Sequence, residues 1–299
     1  MVVSKGKRGI VLAGVVLAVF LDLSAGQVQE NYFLPDNILR FAESLYREGD
    51  YLRAAGEFQR YLYSFDLRPP NAASIHFKIG LCYRLGREFQ KSISYFDKAI
   101  ELDPQILLTW DSYGQIAYSF FLMGEYQQSL SFLAEKWTLV PSGEGRLKMS
   151  LLTGANYLYQ KQWNAGEAYL SSLESSFRNH NLSQSMMSFV KEGQRLPRKS
   201  EALAGFLSAV IPGAGKIYSR RTTDGLVSLF TVGMTAWQAY EGFRRDGLRS
   251  VKGWIYGTIS AYFYLGNIYG SVVAVRIYNE DLENKLLDKI GVAVHVIFQ

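Results

Sequence analysis

The sequence predicts an all-α chain, a helical solenoid followed by a membrane helical hairpin. Three observations predict it. A pattern of small and aromatic residues recurs every 37 to 38 positions from residue 42 to 141. Two later stretches, of 19 and 23 residues, carry a single charge between them. Charge is also divided unevenly: residues 27–191 hold 16 basic and 17 acidic side chains, whereas 192–276 hold 11 basic and 5 acidic. At 299 residues the chain is long enough for two domains.

The first element is "MVVSKGKRGIVLAGVVLAVFLDLSAGQ". Lys5, Lys7 and Arg8 precede an apolar run from Ile10 to Leu21, and Ser24, Ala25 and Gly26 offer a cleavage site. The run is shorter than the ~20 residues a spanning helix needs, so residues 1–26 read as a secretory signal peptide. The alternatives are an uncleaved anchor or a buried helix. No cysteine follows the run, which argues against a lipoprotein anchor.

The repeats occupy residues 27–194. "AESLYREGDYLRAAGEFQRYL" (42–62), "GLCYRLGREFQKSISYFDKAIELDP" (80–104) and "AYSFFLMGEYQQSLSFLAEKWTLVP" (117–141) are versions of one pattern. Ala42, Gly80 and Ala117 open the units, and Tyr51, Phe89 and Tyr126 follow nine residues later. Small residues (Ala54, Ser92, Ser129) and apolar ones (Phe58, Phe96, Leu133) come next, and Pro104 and Pro141 close two units. A fourth unit is weaker, with Gly154, Tyr157, Trp163, Gly166 and Leu170. Each unit predicts two amphipathic helices: small residues permit close approach, aromatics fill the gap, and Gly49, Gly86 or Gly124 ends the first helix. Residues 182–194 predict one capping helix, and "RLPRKS" (195–200) a linker.

Across residues 35–178 this pattern resembles the tetratricopeptide repeat, with longer linkers than the family's and with Gly86 one place early. Its rhythm is closest to periplasmic repeat proteins of the bacterial cell envelope. The resemblance implies a concave groove for a peptide or protein partner, lined by the first helix of each unit. That assigns Glu43, Tyr46, Arg47, Phe77, Leu81, Arg84, Tyr118, Phe121, Leu151 and Tyr159 to the partner-binding groove. An equal alternative is that half of them pack against neighbouring helices. The lysines and asparagines with which related repeats clamp a terminal carboxylate are missing.

"SAVIPGAGKIYSRR" (208–221) invites a phosphate-loop reading, but Val210 stands where the first glycine belongs and Ile217 where the hydroxyl belongs. The stretch reads instead as a turn at a membrane surface, formed by Pro212, Gly213, Gly215, Lys216, Tyr218, Arg220 and Arg221. Ser200 can cap a short helix before it. "GLVSLFTVGMTAWQAYEGF" (225–243) and "GWIYGTISAYFYLGNIYGSVVAV" (253–275) then predict two spanning helices. The loop 244–252 has four basic residues and prefers the cytoplasm. The expected place is therefore the inner membrane, with the repeats in the periplasm. The "PGAGKIY" signature and "YLGNIYGSVVAVRIYN" resemble an uncharacterised family of bacterial two-helix membrane modules, whose usual Gln is Lys216 here.

Small residues predict how these helices of the 201–279 module meet: Ser228 on the first, and Gly257, Gly266 and Gly270 on the second. One stripe is free for the short helix or for a second copy of the chain, as in a homo-oligomer. Asn267 is expected inside the protein at the level of Ser228. Residues 280–299 read as a tail, with "VAVHVIF" (292–298) strand-like.

Catalysis has no visible machinery. The single Cys82 excludes an intramolecular disulfide, His76, His180 and His295 are far apart, and no nucleophile has a base partner. No cofactor or metal is expected. The basic surplus flanks apolar stretches, which suits membrane lipid rather than nucleic acid. Two functions follow as expectations: a membrane-anchored scaffold, or a transport or assembly component whose membrane helices bind substrate, Asn267 being the candidate.

Overall fold

A computed structural model describes residues 33–67, 69–103, 107–141 and 143–298. The proposed signal peptide and Pro104 lie outside these residues. The described chain is helical and divides into two compact units after Ser112.

The first unit pairs α1 (Pro35–Arg47) with α2 (Tyr51–Tyr63) and α3 (Ala72–Leu85) with α4 (Phe89–Leu102). The small residues do what their spacing predicts. Ala42, Ala54 and Phe58 are wholly buried, and a Cβ on Gly80 would lie 2.7 Å from the Phe96 ring. Ile38, Leu45, Ile75, Ile79 and Cys82 complete this core.

The second unit contains most of α5 (Leu107–Leu122), then α6 (Tyr126–Lys136), α7 (Glu144–Tyr159), α8 (Trp163–Ser172), α9 (Ser175–Arg178) and α10 (Asn181–Gln194). Four first helices end in the same way. The amides of Asp50, Glu88, Glu125 and Gln162 donate to the carbonyls of Leu45, Tyr83, Phe120 and Tyr157. The left-handed residue in each turn is Gly49, Arg87, Gly124 and Lys161, with φ of 83°, 63°, 78° and 59°. Gly86 therefore does not make its turn, contrary to the sequence reading. Its φ is −77°, and it is small because a Cβ would lie 2.7 Å from Leu52.

Extended linker residues 196–200 lead into α11 (Glu201–Val210), α12 (Ala214–Tyr218), α13 (Thr222–Asp246) and α14 (Val251–Ile297). Two expectations fail here. No described helix is long and apolar enough to cross a membrane. Residues 253–275 lack charge, but Tyr256, Tyr262, Tyr264, Tyr269 and Asn267 keep their mean hydropathy modest. The strand-like tail is also helical. α14 runs 47 residues without a break, about 70 Å at the helical rise. The alternating "VAVHVIF" also fits a helix, because Leu286, Ile290, Val294 and Ile297 recur at helical spacing and are buried.

Candidate functional sites: the repeat groove and the glycine turn

In the first unit, α1 and α3 carry six of the groove residues. Lys78 reaches from α3 to the carboxylate of Glu43 on α1. Tyr46 packs edge-on against Tyr51 at 5.7 Å, and burial raises its phenol pKa. Phe77 lies against Phe96, its ring centroid 5.3 Å away. Leu81 is half-buried and Arg47 exposed, whereas Arg84 is buried. Here Glu43, Tyr46, Arg47, Phe77 and Leu81 keep some surface.

The groove residues of the second unit already have an occupant, the C-terminal end of α14. Tyr118 stacks on Phe298 at 4.5 Å and 18°, and its hydroxyl is 3.4 Å from Nδ1 of His295. Phe121 meets Tyr159 edge-on at 4.7 Å. The Tyr159 hydroxyl donates to the carbonyl of Leu287 at 2.9 Å, and burial pushes its pKa up to about 12. Leu151 is buried within α7. Glu283, nearly buried, binds both Lys161 and Arg198 and so fixes the entry of the helix. The sequence assigns Tyr118, Phe121, Leu151 and Tyr159 to a partner, and the fold surrounds them with its own chain. The missed signal was the apolar spacing at 286, 290, 294 and 297.

The glycine turn is built from backbone donors that side chains satisfy. Gly213 has φ 89°, and a Cβ there would lie 2.0 Å from the carbonyl oxygen of Gly225. On Gly215 a Cβ would lie 2.1 Å from the Ala204 carbonyl. The Gly213 amide donates to Asn267 Oδ1 at 3.0 Å, and the Gly215 amide to Ser208 Oγ at 2.9 Å. Ser208 and Ser271 share a 2.7 Å hydrogen bond, and Asn267 Nδ2 donates to the Ser208 carbonyl at 3.3 Å. Two amides that a phosphate loop would offer to a ligand are thus consumed.

Asn267 is buried, but its partners are this turn rather than Ser228. Ser228 instead accepts from Lys216 Nζ at 2.8 Å. Both ends of the Asn267 amide are thus engaged by the turn.

The remaining packing residues divide. Gly257 lies at ordinary contact with Phe243 and Ala239, and Gly270 faces the Lys216 side chain. A Cβ on Gly266 would meet nothing within 4 Å, because the face of α14 toward α11 runs through Asn267, Ile268, Ser271 and Val272. Tyr218 and Tyr278 flank Lys199, whose backbone forms two hydrogen bonds with Asn279. Sequence reasoning named neither Lys199 nor Asn279. Pro212 and Arg221 border the turn, Arg221 paired with Asp224.

Residues 39–105 match the tetratricopeptide repeat family model. No curated protein matches the chain. Among solved structures, the C-terminal part of a TPR repeat-containing protein from Cytophaga hutchinsonii aligns over 84% of this chain and 90% of its own, with a TM-score of 0.44 and 16% identity. A tetratricopeptide repeat protein from Parabacteroides merdae aligns over 86% and 98%, with a TM-score of 0.42 and 12% identity. Residues 39–105 thus carry tetratricopeptide repeats, and such repeats generally bind peptide or protein partners.

Proposed function

We propose that this chain is a non-catalytic scaffold of the bacterial cell envelope. In this reading its first-unit groove holds a peptide or protein partner, and its C-terminal module seats it on the inner membrane. The observation that carries the membrane half is an exposed apolar face. On α13, Phe230, Met234 and Trp237 are each about two-thirds exposed, and on α14 Tyr262 and Tyr269 are more than 70% exposed. A face of this extent on a monomer is uncommon in water. From Leu226 to Tyr240 it covers about 21 Å of helix. Basic residues flank it at both ends, Lys216, Arg220 and Arg221 on one side and Arg244, Arg245, Arg249 and Lys252 on the other. Aromatic apolar surface between two cationic rims suits lipid. The N-terminal signal-like segment favours repeats on the periplasmic side.

Cell fractionation tests the reading. The wild-type chain is expected in the membrane fraction, and Phe230→Glu with Trp237→Glu should move it to the soluble fraction while the helix content stays unchanged. A wild-type chain found in the soluble fraction would refute the membrane half. A photo-crosslinker at Arg47 should capture a protein partner that Phe77→Glu abolishes. Capture that is indifferent to Phe77 would remove the groove.

A further inference from the structure

Six cations gather around the glycine turn and the linker before it, and most have partners. Arg198 pairs with Glu283 at 2.8 Å, Arg221 with Asp224 at 2.7 Å and Arg276 with Glu201 at 3.0 Å. Lys216 is bound to Ser228. Lys199 and Arg220 differ: neither has a carboxylate within ion-pair distance among the described residues. Lys199 Nζ donates to the Tyr218 carbonyl, and it lies 4.4 Å from the Tyr278 ring centroid and 5.0 Å from that of Tyr218. The Arg220 guanidinium is 5.8 Å from the same Tyr278 ring. One phenol ring thus serves two cations, which offsets their mutual repulsion only in part.

The backbone of both residues is also held in place. Asn279 clamps the Lys199 backbone, its amide accepting from the Lys199 N–H at 2.8 Å and donating to the Lys199 carbonyl at 2.9 Å. Arg220 sits at the end of α12 with φ 67°, its amide bound to the Ile217 carbonyl. Two positive groups without a carboxylate partner, one a planar fork of donors and the other a point charge, match an oxyanion with several acceptor oxygens. We propose that Lys199 and Arg220, joined by the Tyr278 ring, form a binding site for a phosphate ester. Exposed Ile217 and Ile277 lie next in sequence to Tyr218 and Tyr278. A phospholipid headgroup is therefore one source and a soluble phosphate ester the other, and only the first rests on the membrane reading above.

The test uses the full chain. Its binding to phosphatidylcholine vesicles with and without phosphatidylglycerol is measured by co-sedimentation, and its binding to glycerol phosphate by calorimetry. Lys199→Gln with Arg220→Gln should cost about thirtyfold in binding to phosphatidylglycerol vesicles, the effect of two cations at a charged surface. The matched control, Arg276→Gln with Lys285→Gln, removes two charges that Glu201 and Asp281 already neutralise and should cost only about twofold. Arg220→Lys should keep part of the binding. Equal losses in the two double variants mean a diffuse field and overturn the site, as does no loss in the first. Glycerol phosphate binding that the first variant abolishes, with no vesicle binding by the wild type, assigns the site to a soluble ester and refutes the membrane reading alone. Neither kind of binding by the wild type overturns both.

Discussion

Alanine at Gly213 probes the glycine turn most directly, because two separate costs meet there. The left-handed φ of 89° costs an alanine about 1–2 kcal/mol. Its Cβ would also stand 2.0 Å from the Gly225 carbonyl oxygen and 2.7 Å from the carbonyl carbon. Neither atom belongs to a flexible side chain, so the chain must move apart there, at the roughly 1–3 kcal/mol of overpacking. Reduced freedom of the unfolded chain returns about 0.4–1 kcal/mol. The net loss is about 2–4 kcal/mol. Gly233 supplies the opposite sign: it lies within α13 and its Cβ would meet nothing within 4 Å, so Gly233→Ala should gain up to about 1 kcal/mol of helix propensity. Melting followed by circular dichroism should show Gly213→Ala lower by about 5–12 °C and Gly233→Ala higher by about 2–4 °C. A Gly213→Ala protein that melts at or above the wild-type temperature would refute the close packing of Gly213 on Gly225.

Four further outcomes follow from the repeats and the helix docked on them. Arg87→Gly relieves left-handed backbone and should stabilise by about 0.5–1 kcal/mol in denaturant titrations. Phe298→Ala removes the ring stacked on Tyr118 and should cost about 3 kcal/mol, read as faster amide exchange in the last turns of α5. Burial raises the Tyr159 pKa from 10.0 to about 12, so the phenol stays neutral in the fold while the unfolded phenol ionises. Its stabilisation is complete below pH 10.0 and is lost as pH rises toward about 12. Tyr159→Phe should flatten that slope in unfolding titrations. His76 has its pKa lowered from 6.5, chiefly by burial and against the hydrogen bond to Ala72. It contributes fully above pH 6.5 and less as pH falls below it, and His76→Gln should remove that part of the acid sensitivity, measured by urea unfolding on either side of that value.

The sequence by itself determined what depends on neighbours along the chain. Small and aromatic residues in phase specify helix pairs, because close approach needs Ala42 or Gly80 opposite Phe58 or Phe96, and that spacing survives translation along a repeat. Pro-Gly-Ala-Gly signals a turn for an equally local reason, the conformations that proline and glycine permit. Only the tertiary structure decided which surface covers which. The residue that takes left-handed backbone in the second repeat is Arg87, since Gly86 is needed small against Leu52 on another helix. Asn267 finds its partners on a turn 54 residues away, a pairing that depth along two helices does not reveal. Tyr118 and Tyr159 look like groove residues awaiting a ligand, yet the distant end of α14 meets them. Periodicity states that a helix has an apolar face. What covers that face is a non-local choice, made by whichever packing buries the most surface while pairing most buried polar groups.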